Sequence, residues 1–195
     1  MKSVVVATLS SIVVLGGQAA GAGPAQADRP ASLDRLVGLV AERLQTADTV
    51  AAVKWAGALA DGSQPTIDDP VREAQVYDSM ASSGAAQGLP ADWVRQVFTA
   101  QIEANKLVQR GLVAQWQYGL IPPASAAPDL APVRSVIDRV NGEIIDELAG
   151  DRTELTEPGC AVQLANSVSA TVQATHADLL HQAALVRAVL PLCGT

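Results

Sequence analysis

The stretch from Gly88 to Gly119 constrains the fold most. Its apolar residues Trp93, Val94, Phe98, Ile102, Leu112 and Trp116 recur at the 3.6-residue period of an α-helix. Counted at 100° per residue from Phe98, the residues Val94, Gln101, Ile102, Asn105, Gln109, Leu112, Val113 and Trp116 fall within about 60° of it. One long helix is therefore expected across this stretch, with two amides, Asn105 and Gln109, one turn apart in the middle of a buried stripe. A buried amide costs about 1–3 kcal/mol unless it is hydrogen-bonded. Another helix or a polar ligand has to satisfy these two.

The chain begins as an export signal does. Lys2 supplies a basic start, Val4 to Leu15 an apolar run, and Ala25-Gln26-Ala27 a small-x-small cleavage site, which predicts a cut between Ala27 and Asp28. The apolar run is short for a bilayer span, and an uncleaved anchor is the alternative. Cleavage would leave a single domain, residues 28–195, large enough for a real core. Residues 1–27 hold one charged group, Lys2, so the formal charge would go from −7 to −8. So acidic a surface argues against nucleic acid or an anionic membrane as partner. Aromatics make up only 3% of the chain, alanine is abundant, and no β-branched runs bounded by glycine occur, a composition that points to an all-α fold.

The two cysteines, Cys160 and Cys193, both lie in the exported part, where one disulfide is expected and free thiols are the alternative. In one straight helix they would sit about 50 Å apart, whereas bridged Cα atoms lie within about 7 Å. The chain must fold back between them. Thr175-His176-Ala177-Asp178 has the form of a capping box and marks the break. Six helices are expected in all: Ser32–Leu59; a second from Asp69 as N-cap and Pro70 to about Gly84 or Gly88; the long third; a fourth from about Asp129; and a hairpin of Cys160–Gln173 and Thr175–Leu190. Asp61 to Pro65, Ala124 to Pro128 and Gly150 to Gly159 read as loops.

Polar residues interrupt the inward faces. On the first helix Arg43 and Lys54 lie within about 60° of Val40, roughly 16 Å apart along the axis. Inward cations must be paired or must meet an anion; snorkelling at the stripe edge is the bland alternative. Arg72 and Glu73 occupy the first turn of the second helix, where the dipole favours an anion, although a solvated first turn would read the same way. Arg134 flanks the apolar row of the fourth helix. Together with Asn105 and Gln109 these make four cations, one carboxylate and two amides, a set suited to a small dianion. No nucleophile–base pair, no glycine-rich phosphate loop and no metal-ligand spacing is present; His176 and His181 are five residues apart and off one helical face.

These residues resemble the all-helical (AroQ-type) chorismate mutases, above all the secreted (gamma) subclass of mycobacteria and other actinobacteria. The matching text is Glu42-Arg43-Leu44, Ala47-Asp48-x-Val50-Ala51-Ala52-x-Lys54-Trp55, Ile67-x-Asp69-x-x-Arg72-Glu73, Val97-Phe98-x-x-Gln101-Ile102-x-Ala104-Asn105 with Gln109, and Arg134-Ser135-x-Ile137-Asp138, along with the Cys160/Cys193 pair. The resemblance spans nearly all of residues 28–195. It implies a type II-like helical bundle and the Claisen rearrangement of chorismate to prephenate, a concerted reaction that uses no cofactor. It also implies roles. Arg43, Arg72 and Arg134, with Asn105, would clamp the two carboxylates. Lys54 and Gln109 would donate to the ether oxygen, and Glu73, steered by Asp69, would accept from the ring hydroxyl.

The resemblance further implies a homodimer in which each site lies within one protomer, Arg134 standing where the cytoplasmic type borrows a partner's arginine. The sequence departs from the family between Lys54 and Arg72, where Asp61–Thr66 reads as an insertion that either covers the pocket or bulges outward. Two readings compete with the enzyme: a secreted helical interaction module, and a protein that binds a small dicarboxylate without turnover.

Overall fold

The computed structural model describes residues 33–125 and 130–194, all within one unit. The expected signal segment 1–27, its cleavage site, and the helix starts expected at Ser32 and Asp129 lie outside the described residues. Within them the chain is all-helical, as expected, but has seven helices and not six. They are α1 (Asp34–Asp61), α2 (Pro70–Ala86), α3 (Ala91–Gln117), α4 (Ala131–Gly150), α5 (Arg152–Thr156), α6 (Cys160–Thr175) and α7 (Leu179–Val189).

Two long helices carry the architecture. α1 packs on α3, α4, α6 and α7, and α3 packs on α1, α2 and α7. Of the stripe predicted for α3, Val94, Phe98, Gln101, Ile102, Gln109, Leu112 and Trp116 are buried and Asn105 and Val113 only partly so. Val97, Ala104 and Val108, to one side of that stripe, are fully inaccessible, and with Val94 and Phe98 they meet Leu36, Val37 and Val40 of α1 and Ile144 and Leu148 of α4 in one core. Burying a side chain of this size is worth about 1.5–3 kcal/mol. Farther along, Trp55 of α1 and Trp116 of α3 meet edge to face, 5.8 Å between ring centres. The α2–α3 hairpin closes tightly: a Cβ on Gly84 would come within 2.6 Å of a methyl of buried Val94.

Local signals set most helix ends. Gly62, at φ +74°, ends α1 in the left-handed conformation glycine adopts freely. Asp69 caps α2, its carboxylate accepting from the Arg72 N–H at 3.0 Å with Pro70 at the first helical position, as the sequence suggests. Two boundaries differ from expectation. Gly150–Gly159 holds the short helix α5. Thr175 does not open the last helix; it ends α6, its hydroxyl donating back to the Thr171 carbonyl. His176 takes the left-handed C-cap conformation at φ 51°, and Asp178 caps α7 by accepting from the His181 N–H at 2.9 Å. A carboxylate bound to a backbone N–H at the positive end of the helix holds the start three residues later.

The disulfide joins Cys160 to Cys193, with 5.8 Å between Cα atoms. The fold-back is present, but α6 leans chiefly on α1 and α7 chiefly on α3. Trp93 Nε1 donates to the Pro191 carbonyl at 2.8 Å, and the Gly194 N–H donates to Leu155 O at 3.2 Å, which tie the C-terminal turn to α3 and α5.

Candidate functional site

Four helices and one connection surround a cavity of about 200 Å³. α1 contributes Arg43, Val50 and Lys54; the segment before α2, Ile67 and Asp69; α2, Arg72, Glu73 and Val76; α3, Ile102, Asn105, Lys106 and Gln109; and α4, Val133, Arg134, Ile137 and Asp138. All eight residues singled out for binding or chemistry from the sequence line this one space. Lys54 and Gln109, on different helices, share it. The lining holds five cations (Arg43, Lys54, Arg72, Lys106, Arg134) against three carboxylates (Asp69, Glu73, Asp138), a surplus of two positive charges in an acidic chain.

The amides on α3 bond to each other and, through Asn105, to α1. Gln109 Nε2 donates to Asn105 Oδ1 at 2.6 Å, Asn105 Nδ2 lies 3.4 Å from Thr46 Oγ1, and Thr46 donates to the Arg43 carbonyl at 2.7 Å. This relay fixes the α3 amides against α1. Among the described residues Gln109 Oε1 is buried without a partner, so the most enclosed polar side chain of the cavity keeps unused hydrogen-bonding capacity. Gln101, the third amide of the stripe, is a core residue that donates to the Ala188 carbonyl of α7.

The cations divide by partner. Arg43 is 5% exposed and, among the described residues, donates only to neutral oxygens: Asn141 Oδ1 at 2.7 Å through Nε and the Gln101 carbonyl at 3.3 Å through Nη1. Burial pulls its pKa down to about 10, so it stays protonated at neutral pH. Lys54 Nζ donates to the Ile67 carbonyl at 2.7 Å. Burial lowers its pKa too, opposed by Asp69, Asp68 and Glu73. Arg134 makes no ion pair among the described residues, and Arg72 only a loose one, 3.9 Å to Asp138. Lys106 is the opposite case. Its Nζ lies 3.1 Å from both Glu73 oxygens, 3.0 Å from Asp68 and 2.5 Å from Glu103. Burial disfavours its charge, but the three carboxylates outweigh that and raise its pKa above the ordinary lysine value.

Lys106 is the lining cation that sequence reasoning misses. It sits 80° from Phe98, just outside the stripe, and Glu103-x-x-Lys106 reads as a surface pair at i,i+3. Glu73 accepts from Lys106 and, through Oε1, from the Asp69 N–H at 3.1 Å. The residues 61–66, read from the sequence as an insertion, do not line the cavity. They run outside it, with Gln117 Nε2 donating to Gln64 at 3.0 Å, and the wall is made by Ile67 and Asp69.

The family pattern described as "Chorismate mutase type II" matches residues 33–110. The chain is 34% identical over 197 residues to the "Secreted chorismate mutase" of Mycobacterium tuberculosis, covering 98% of this chain and 94% of that one. It is 34% identical over 185 residues to the protein of the same description from Mycolicibacterium smegmatis, covering 95% and 99%. Among solved structures it is similar to a chorismate mutase from Burkholderia phymatum, with a TM-score of 0.77 at 33% identity over 84% of this chain and 96% of that one.

Proposed function

The chain belongs to the type II chorismate mutase family, and from that premise we propose how its cavity carries the reaction. It is an isomerase that rearranges chorismate to prephenate: the ether C–O bond breaks as a C–C bond forms within one molecule. Such a reaction asks for no nucleophile. It asks that a flexible dianion be held in its compact conformer and that the oxygen receiving negative charge meet hydrogen-bond donors.

Arg43, Arg72 and Arg134, assisted by Asn105, hold the two carboxylates. Lys54 and Gln109 donate to the ether oxygen. Each is anchored through one hydrogen bond, to Ile67 O and to Asn105 Oδ1, and retains further N–H donors for substrate. Glu73, fixed by Lys106 and by the Asp69 N–H, accepts from the ring hydroxyl. The observation that carries this reading is the convergence of Lys54 and Gln109 on one cavity whose lining has two cations in excess. Removing one donor aimed at a developing oxyanion typically costs about 10²–10³ in rate. The test is loss of chorismate absorbance with the unaltered protein and with Lys54→Ala and Arg72→Ala. Orders-of-magnitude losses support the assignment; turnover unchanged in both variants rejects it.

The protein is secreted. We assign export to a leader over residues 1–27, cleaved after Ala27, and a homodimeric assembly with each site built within one protomer. N-terminal sequencing of the exported protein and its mass in solution test these two statements.

A further inference from the structure

A buried cation is ordinarily matched by a carboxylate. Among the described residues Arg43 is not, although one carboxylate adjoins it in the sequence and another lies one turn from its contact Asn141. Glu42, the preceding residue, pairs with Arg139, and Asp138, one turn before Asn141 on α4, faces Arg72. What Arg43 meets is the side-chain oxygen of Asn141, itself 2% exposed in the middle of α4, with a main-chain carbonyl of α3. Two of its five N–H donors are used by these neutral groups, and Arg43 lines the cavity.

We propose that Asn141 is a positioning residue that sets carboxylate affinity: it aims the Arg43 guanidinium without neutralising it. This rests on Arg43 being one of the carboxylate-binding residues. Asparagine is a weak helix former in a helix interior, and an aspartate of the same shape would bind Arg43 more strongly. It would also cancel the charge that a substrate carboxylate has to find. The neutral oxygen fixes the direction of the Nε–H bond and leaves the full positive charge inside the pocket.

The test is Asn141→Asp, assayed for chorismate turnover and for thermal unfolding at neutral pH. KM is expected to rise about ten-fold or more, the worth of one hydrogen bond to a charged group, with kcat carrying the smaller part of the loss and Tm equal or higher. An unchanged KM in a folded Asn141→Asp protein overturns the proposal, because a purely structural amide would tolerate the isosteric acid. Should that variant not fold, Asn141→Ala decides. Its effect on KM is expected to shrink at least several-fold in an Arg43→Lys background, whereas equal effects in both backgrounds overturn the proposal. The underlying reading fails separately: the unaltered protein would not convert chorismate, or Arg43→Lys alone would leave KM where it was.

Discussion

Lys106 Nζ on α3 lies 3.1 Å from each carboxylate oxygen of Glu73 on α2, and the same ammonium reaches Asp68 at 3.0 Å. One cation thus holds both the carboxylate assigned to the ring hydroxyl and the connection that forms the pocket wall. Asp68 is held a second time by Arg110, at 2.6 Å.

Lys106→Met removes the ammonium while keeping the stem. It leaves Glu73, 17% exposed, without its cation, at a cost of about 1–3 kcal/mol in stability. The expected result is a lower Tm and a roughly ten-fold loss in kcat/KM, one or two charge-assisted bonds' worth of positioning. Lys106→Arg is expected to recover part of both. If the Met variant keeps full kcat/KM, the link from Lys106 to the reaction through Glu73 is wrong.

Gln109 donates at any pH, so no loss of activity between about pH 5 and 8 is expected to come from this residue. Gln109→Glu places a carboxyl in a site only 4% exposed, where it donates only when protonated. Burial favours that form and nearby Lys54 opposes it. The variant is expected to be most active at low pH and to fall by about 10²–10³ relative to the unaltered protein as the carboxyl ionises, the cost of a lost oxyanion donor. Full pH profiles of kcat/KM for both proteins check this. A steep loss in the unaltered protein across pH 5–8, reversed by the substitution, would remove Gln109 from the ether oxygen.

Helical period and paired cysteines made much of the fold readable. α3 announces itself because its core stripe recurs over about six turns, from Val94 to Trp116, and Cys160 and Cys193 could meet only if the chain turned back. The start of α7 was hidden because Thr175-x-x-Asp178 and Asp178 itself both look like caps, and only packing decides between them. α5 has five residues, too few for a period to register. At the site, Arg43, Lys54, Asn105 and Gln109 were visible as polar residues within apolar stripes. Lys106 was not, because its inward position depends on three carboxylates, two of them from elsewhere in the chain. Asn141 was not, because a single amide between Val140 and Ile144 carries no signal until Arg43 is seen against it.

The disulfide closes a loop of 33 residues outside the cavity lining. In the chain-entropy picture its removal costs about 3–4 kcal/mol, on the order of 10 °C in Tm for a domain of this size. The double variant Cys160→Ala/Cys193→Ala is expected to melt that much earlier and to retain room-temperature turnover while folded, since α1 to α4 build the pocket. Calorimetry beside an activity assay checks both halves. A large loss of turnover in the folded variant would mean that α6 and α7 shape the pocket through α1 and α3.

His181 offers a stability test with a defined sign. Its Nε2 lies 2.9 Å from Asp48 of α1 and its Nδ1 2.9 Å from Asp178, the cap of its own helix. The Asp48 hydrogen bond raises its pKa to about 9, with burial opposing and Asp178 adding to the rise. The unfolded chain has the ordinary histidine value of about 6.5. The folded state therefore binds the proton more tightly, and its contribution to stability is complete below about pH 6.5. Between there and about pH 9 the contribution declines, and above that it is gone. Tm measured from pH 6 to 9.5 is expected to include a fall of a few degrees from this group, absent in His181→Gln. The difference between the two curves isolates His181 from other titrating groups. If that difference is the same at pH 6 and pH 9.5, the imidazole is not the cation that joins α1 to the start of α7.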